Sequence, residues 1–98
     1  MELVKNIDGT TLTIAAIGRL DTTTAPELEK EITESIPDMT ALVLDFAELV
    51  YVSSAGLRVL LQAQKMMSRQ GTMVVKNVCA DIMEVLEMTG FSDILTIE

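Results

Sequence analysis

The chain has 98 residues, 49% of them hydrophobic, a net charge of −8 and no histidine. That length supports one compact core, so we expect a single domain over residues 1–98 with enough apolar surface to offset chain entropy. The negative surface speaks against direct DNA or RNA binding, and the missing histidine removes the commonest general base, any histidine-dependent triad and any histidine phosphorelay.

No apolar run approaches the roughly 20 residues that cross a bilayer, and Met1 to Asp8 lacks a basic segment followed by an apolar one. We therefore expect a free-standing cytoplasmic protein with no membrane partner. The one cysteine, Cys79, has no internal disulfide partner, and its expected role is that of a small buried apolar residue.

Leu12, Ile14 and Ala16 alternate with Thr11, Thr13 and Ala15 after a turn signal at Asp8-Gly9, which predicts an opening hairpin from Leu3 to Ile17. Thr24-Ala-Pro-Glu27 matches a capping box and predicts the first helix start, with Pro26 at an early helical position. Leu28, Ile32 and Ile36 then recur at every fourth residue as a buried stripe, leaving Glu27, Lys30, Glu31 and Glu34 in water until Pro37 closes the helix. Ala41 to Phe46 is short and almost continuously apolar, the pattern of a central strand covered on both faces.

A second helix is expected from about Ser54 to Gln70, with Leu57, Leu60, Leu61 and Gln64 on one face and Gly71 placed to end it. Thr72 to Lys76 reads as a strand; Ile82, Val85 and Leu86 mark a third helix ending near Gly90; Ile94 to Ile97 reads as a last strand. Strands alternating with helices predict a layered α/β domain, a mixed central sheet with helices packed against it. Met66, Met67, Met83 and Met88 are expected mostly to fill the core, and Met88, Thr89 and Phe91 could add a partner patch if they are exposed.

The chemistry-bearing stretch is Leu49 to Leu61, where a buried strand passes through a short loop rich in small and hydroxyl residues into a helix. Ser53 and Ser54 are natural N-cap residues, and the same place favours an anion, because free N–H groups and the positive end of the helix dipole face it. Gly56 either keeps the backbone open for a partner or lets the helix pack tightly on the sheet, and the residues alone leave both readings open.

Gly18 to Ala25 (Gly-Arg-Leu-Asp-Thr-Thr-Thr-Ala), Leu42 to Asp45 (Leu-Val-Leu-Asp) and Ser53 to Leu61 (Ser-Ser-Ala-Gly-Leu-Arg-Val-Leu-Leu) stand in an order that resembles a STAS domain of the anti-sigma factor antagonist type. The resemblance runs over essentially the whole chain. In that family the loop usually reads Asp-Ser-Ser/Thr-Gly-Leu, and its first serine accepts phosphate from a partner that is both kinase and anti-sigma factor. Matching Gly56 to the family glycine places Ser54 at the acceptor, Ser53 at the aspartate and Ala55 at the second hydroxyl residue. The resemblance also implies that Asp21, with Thr22 and Thr23, lies beside this loop, and that Asp45 ends the central strand, where a structural loop hydrogen bond is its expected role.

The expected partner surface is Asp21, Thr22, Thr23, Ser53, Ser54, Ala55, Gly56, Leu57 and Arg58. By resemblance, the unmodified chain binds an anti-sigma factor/serine kinase and frees a sigma factor; phosphorylation at Ser54 ends that binding, and a serine phosphatase reverses it. The kinase supplies ATP, magnesium and the base, so the chain itself is expected to be no enzyme, to carry no catalytic residue and to need no cofactor or metal. Consistent with this, neither a P-loop nor a Gly-x-Ser-x-Gly elbow is present. Two other readings are a constitutive scaffold module in which Ser54 only caps a helix, and a small-ligand or nucleotide sensor using the helix N-terminus as an anion cradle.

Overall fold

A computed structural model describes residues 1–98. The expected hairpin forms from β1 (Glu2–Asp8) and β2 (Thr11–Leu20), antiparallel, with Asp8 opposite Thr11 and a two-residue turn at Gly9-Thr10. Gly9 takes φ +62 there, a conformation glycine adopts without side-chain cost. Along β2, Leu12, Ile14 and Ala16 are fully buried, while their neighbours are half-buried, as the alternation predicts.

The rest of the sheet is parallel. β3 (Ala41–Asp45) pairs with β2, β4 (Leu49–Val52) pairs with β2 near its end, and β5 (Thr72–Lys76) pairs with β3. The expected central strand is β3, and it does lie inside the sheet, between β2 and β5; the hub, however, is β2, whose ten residues accept β1, β3 and β4. Nor is β3 equally covered on both faces. Leu42 and Leu44 are buried, whereas Ala41, Val43 and Asp45 are half-exposed.

Three helices, α1 (Ala25–Ser35), α2 (Ser54–Met67) and α3 (Ala80–Met88), complete the mixed-sheet α/β architecture expected from the sequence. Leu28, Ile32 and Ile36 form the buried stripe of α1. On α2 the stripe differs from expectation: Leu57 and Leu60 are buried with Val59, Ala63 and Met67, while Leu61 and Gln64 sit at its margin, half-buried. One cluster of 23 buried apolar residues joins sheet and helices, with Phe46 among its largest members. Met67 and Met73 belong to it; Met88 is instead 78% exposed, and Phe91 packs partly against the core.

Several local expectations are corrected. α2 ends at Met67, and Gly71 is required for a close approach rather than for a left-handed turn, since a Cβ there would collide with the Thr40 carbonyl. The expected last strand shrinks to one bridge between Val75 and Ile97, because the Phe91 carbonyl accepts the N–H groups of Ile94 and Leu95 and closes a 3₁₀ turn instead. Cys79 is exposed, not buried, because it stands at the N-terminal boundary of α3 outside the sheet.

Candidate functional site

The junction of β4 and α2 is a one-residue loop. Val52 is buried at the strand end, Ser53 turns the chain with extended backbone angles, and Ser54 is already the first residue of α2. The loop is tied down on both sides: Ser53 N–H donates to the Leu20 carbonyl at 2.9 Å, and Leu57 N–H donates to the Ser53 carbonyl at 2.9 Å. Ser53 Oγ accepts from Gly56 N–H at 3.4 Å, a long capping bond that satisfies one of the helix's free donors. Of the two candidate caps, Ser53 takes the role. The Ser54 hydroxyl is exposed and enters no hydrogen bond within the chain.

Gly56 resolves towards packing. A Cβ built on it would meet Leu20 Cγ at 2.7 Å and Val52 Cγ2 at 2.9 Å, so the bare backbone lets α2 seat on the ends of β2 and β4. Gly56 and Leu57, expected on the partner surface, are both buried; they shape the loop from beneath. Ser54 and Arg58 face outward, with Ala55 and Ser53 half-buried between them.

The neighbouring loop joins β2 to α1. Asp21 Oδ1 accepts from Thr23 N–H at 3.0 Å, Thr24 N–H at 3.1 Å and the Thr23 hydroxyl at 2.8 Å. The Thr23 hydroxyl bond, aided by those backbone donors and the Thr24 hydroxyl, holds the Asp21 carboxyl below its ordinary value against a smaller desolvation effect. The expected capping box between Thr24 and Glu27 is not formed. Thr24 Oγ1 instead accepts from Asp21 N–H at 2.8 Å and lies 2.7 Å from the Arg19 carbonyl, its nearest acceptor, so Asp21 and Thr24 brace the helix entrance while Glu27 stays in water.

Thr22 of this loop and Pro26 of α1 share one surface groove with Ala55 and Arg58 of α2, so the loop adjoins the start of α2. Asp45 lies apart from it in a structural role: its Oδ1 accepts from Asn77 Nδ2 and Ala47 N–H, both at 3.0 Å. The Asn77 bond, then the Ala47 bond, lowers the Asp45 pKa.

Two residues outside the expected set stand on the strands that lead into these loops, Arg19 on β2 and Tyr51 on β4. Arg19 lays its guanidinium 4.1 Å from the centroid of the Tyr51 ring. Their pairing depends on a register shift between β2 and β4, which no local pattern in the sequence announces. No group of three or more His, Cys, Asp or Glu is placed to hold a metal ion, and no helix is long and apolar enough to cross a membrane.

These features define a small mixed-sheet α/β domain that presents an exposed serine at a strand-to-helix junction. Residues 2–98 match the STAS domain model, and the chain belongs to the STAS domain family, as its three ordered segments suggested. Over 94 residues it is 36% identical to BtrV of Bordetella bronchiseptica, provisionally named an anti-sigma factor antagonist, covering 93% of this chain and 79% of that protein. Over 97 residues it is 29% identical to the anti-sigma-B factor antagonist of Listeria monocytogenes, covering 97% and 85%. At 17% identity the fold also matches the Bacillus anti-sigma factor antagonist SpoIIAA, solved unphosphorylated and phosphorylated, with TM-scores of 0.78 and 0.77. Each match covers 99% of this chain, and 87% and 91% of SpoIIAA respectively.

Proposed function

We propose that this chain is a cytoplasmic anti-sigma factor antagonist that works by partner switching. Unmodified, it docks an anti-sigma factor with serine kinase activity through the β2–α1 loop and the start of α2, releasing a sigma factor; phosphate on Ser54 ends the docking, and a serine phosphatase restores it. The observation that carries this reading is the Ser54 hydroxyl itself: exposed, free of partners within the chain, and seated at the first residue of a helix. The names of the sequence relatives support the antagonist role, and the two forms of SpoIIAA support a phosphorylated state for this fold.

A phosphate adds about −1.5 to −2 charges and strong acceptor oxygens at that position. The helix start tolerates it, since anions there gain about 0.3–1 kcal/mol from the dipole. Reversing a population from 1:99 to 99:1 takes about 5.5 kcal/mol of differential affinity, and exposed charges are screened within about 8–10 Å, so the acceptor belongs inside the docking footprint. The kinase supplies the nucleotide, the metal and the base; this chain is substrate and ligand.

Incubation with the kinase and ATP should add one phosphate, mapped to Ser54 by fragmentation. Ser54→Asp should weaken kinase binding while Ser54→Ala retains it. Equal affinities for the two variants sink the charge switch, and modification confined to Ser53 sinks the residue assignment. One observation favours a second reading, a constitutive docking module: Ser53 stands where the family usually carries an aspartate, and here it serves as the helix cap. That reading predicts unchanged partner binding and no phosphorylated chain in cells under any growth condition.

A further inference from the structure

β2 and β4 change register between Gly18 and Arg19: Gly18 pairs with Leu49 and Arg19 with Tyr51, leaving Val50 as the extra residue of a β-bulge. In an unbroken strand alternate residues share a face, so Leu49 and Val52 would point to opposite sides. The bulge brings both inside, at 1% and 6% exposure, and turns the pair between them outward, Val50 at 65% and Tyr51 at 40%. Arg19, across from Tyr51, stacks on the ring at 4.1 Å. Its Nε lies 3.9 Å from Asp21 Oδ2, the outer limit of an ion pair, and its side chain stays 59% exposed. The bulge thus displays two large apolar side chains on β4, a strand that pairs only with β2, beside the cation of Arg19 on β2.

We infer that the Arg19–Tyr51 stack, with Val50 beside it, is the anchor by which this chain docks the anti-sigma factor kinase. It receives a carboxylate of the kinase against Arg19 and an apolar side chain against Tyr51 and Val50. This surface deepens the partner-switch reading and rests on it. Tyr51 precedes Ser54 by three residues, so their Cα atoms lie within about 11 Å, given about 3.6 Å per residue at full extension. A standard interface covers about 800 Å² per partner, a disc of about 16 Å radius, so a footprint centred on Ser54 is wide enough to reach Tyr51. Tyrosine and arginine are the side chains that most often dominate such interfaces, and a ring-braced guanidinium has less freedom to lose on docking. A second copy of this chain fits poorly, because two molecules that each carry −8 repel one another.

The test is calorimetric binding of the purified anti-sigma factor kinase of the source organism to the unphosphorylated full chain. Tyr51→Ala and Arg19→Ala should each weaken binding about 30-fold or more, Tyr51→Phe should keep it, and Val4→Ala, on exposed β1, should leave it unchanged. Val50→Asp, which places a like charge in the footprint without touching the core, should give a comparable loss and carries the test if Tyr51→Ala does not fold. Folded Tyr51→Ala and Val50→Asp chains that bind like wild type overturn the inference, as does a loss of self-association in place of a loss of kinase binding. If the variants lose binding but wild type is never phosphorylated on Ser54, the docking surface stands and the phosphate switch falls. If wild type does not bind the kinase at all, both fall.

Discussion

Replacing Gly56 with alanine separates two roles that the sequence leaves equal, an open backbone for a partner and a close seat for α2. The added Cβ would lie 2.7 and 3.0 Å from Leu20 Cγ and Cδ2, and 2.9 Å from Val52 Cγ2. Carbon atoms pack best at about 3.5–4.0 Å, so something must give by up to about 1 Å. Leu20 is fully buried and Val52 is 6% exposed, and both end strands that pair with one another, so neither can swing into solvent. Overpacking of this kind costs about 1–3 kcal/mol, and the better helix propensity of alanine returns at most about 1 kcal/mol. Three contacts at or below 3.0 Å against neighbours that cannot move put this site in the upper part of that range, about 2–3 kcal/mol, so a net loss of about 1–2 kcal/mol follows. With a urea slope near 1 kcal/mol/M, the unfolding midpoint followed by circular dichroism should fall by about 1–2 M. A change below about 0.5 kcal/mol, the scatter of ordinary surface substitutions, refutes the packing argument. In that case a folded alanine variant that loses only kinase binding would return Gly56 to the partner surface.

Gly71→Ala should cost more than Gly56→Ala, because the added carbon meets the Thr40 main-chain carbonyl, which also accepts Thr72 N–H at 3.0 Å and cannot rotate away; a thermal midpoint no lower than that of Gly56→Ala contradicts this. Asp21 and Asp45 both have lowered pKa values in the fold, so their stabilising contributions are present above the ordinary value near 3.9 and are lost as pH falls through the folded values. Urea midpoints measured across the acid limb should therefore decline below about pH 4, and Asp21→Asn should flatten that decline; an unchanged slope denies Asp21 its part. Removing residues 96–98 should lower stability only modestly, since the segment adds two backbone bonds to Val75, and a chain unfolded by the deletion would show that the single bridge does more than its geometry implies.

The hairpin, the three helices and β5 were legible because their burial follows the local period: every second residue in β2, every fourth in α1. The capped junction was legible for a related reason, since small hydroxyl residues between an apolar run and a helical stripe announce one; the choice of Ser54 within it rested on the family resemblance. What failed was decided by competition between groups that the local pattern ranks equally. Thr24 and Glu27 have capping-box spacing, yet the Asp21 carboxylate takes Thr24 N–H, the donor Glu27 would have satisfied, together with Thr23 N–H, and Glu27 N–H goes to the Thr24 carbonyl. Ile94 to Ile97 has strand composition, yet the Phe91 carbonyl consumes two of its donors before the sheet can. Tyr51 was read as part of a buried strand, and its display depends on the register of β4 against residues more than thirty positions earlier, which alternation within one segment cannot reveal.

The junction's hydrogen bonds also constrain how the proposed switch can work. Ser53 N–H to Leu20, Leu57 N–H to Ser53 and Gly56 N–H to Ser53 Oγ hold the loop, and the Ser54 hydroxyl enters none of them. A phosphate on Ser54 therefore breaks no bond of the fold, and the helix dipole favours it slightly. Arg58 makes no ion pair and lies four residues along the exposed face of α2, in reach of that phosphate, but a surface pair at this spacing is worth only about 0.2–0.5 kcal/mol. Neither effect approaches the roughly 5.5 kcal/mol that a full reversal demands. The remainder must arise across the docked interface, where the phosphate is desolvated against the kinase while the chain beneath it keeps its shape. The phosphorylated chain should thus unfold at or slightly above the urea midpoint of the unmodified one, and a clear drop would place the switch in the fold instead of at the surface.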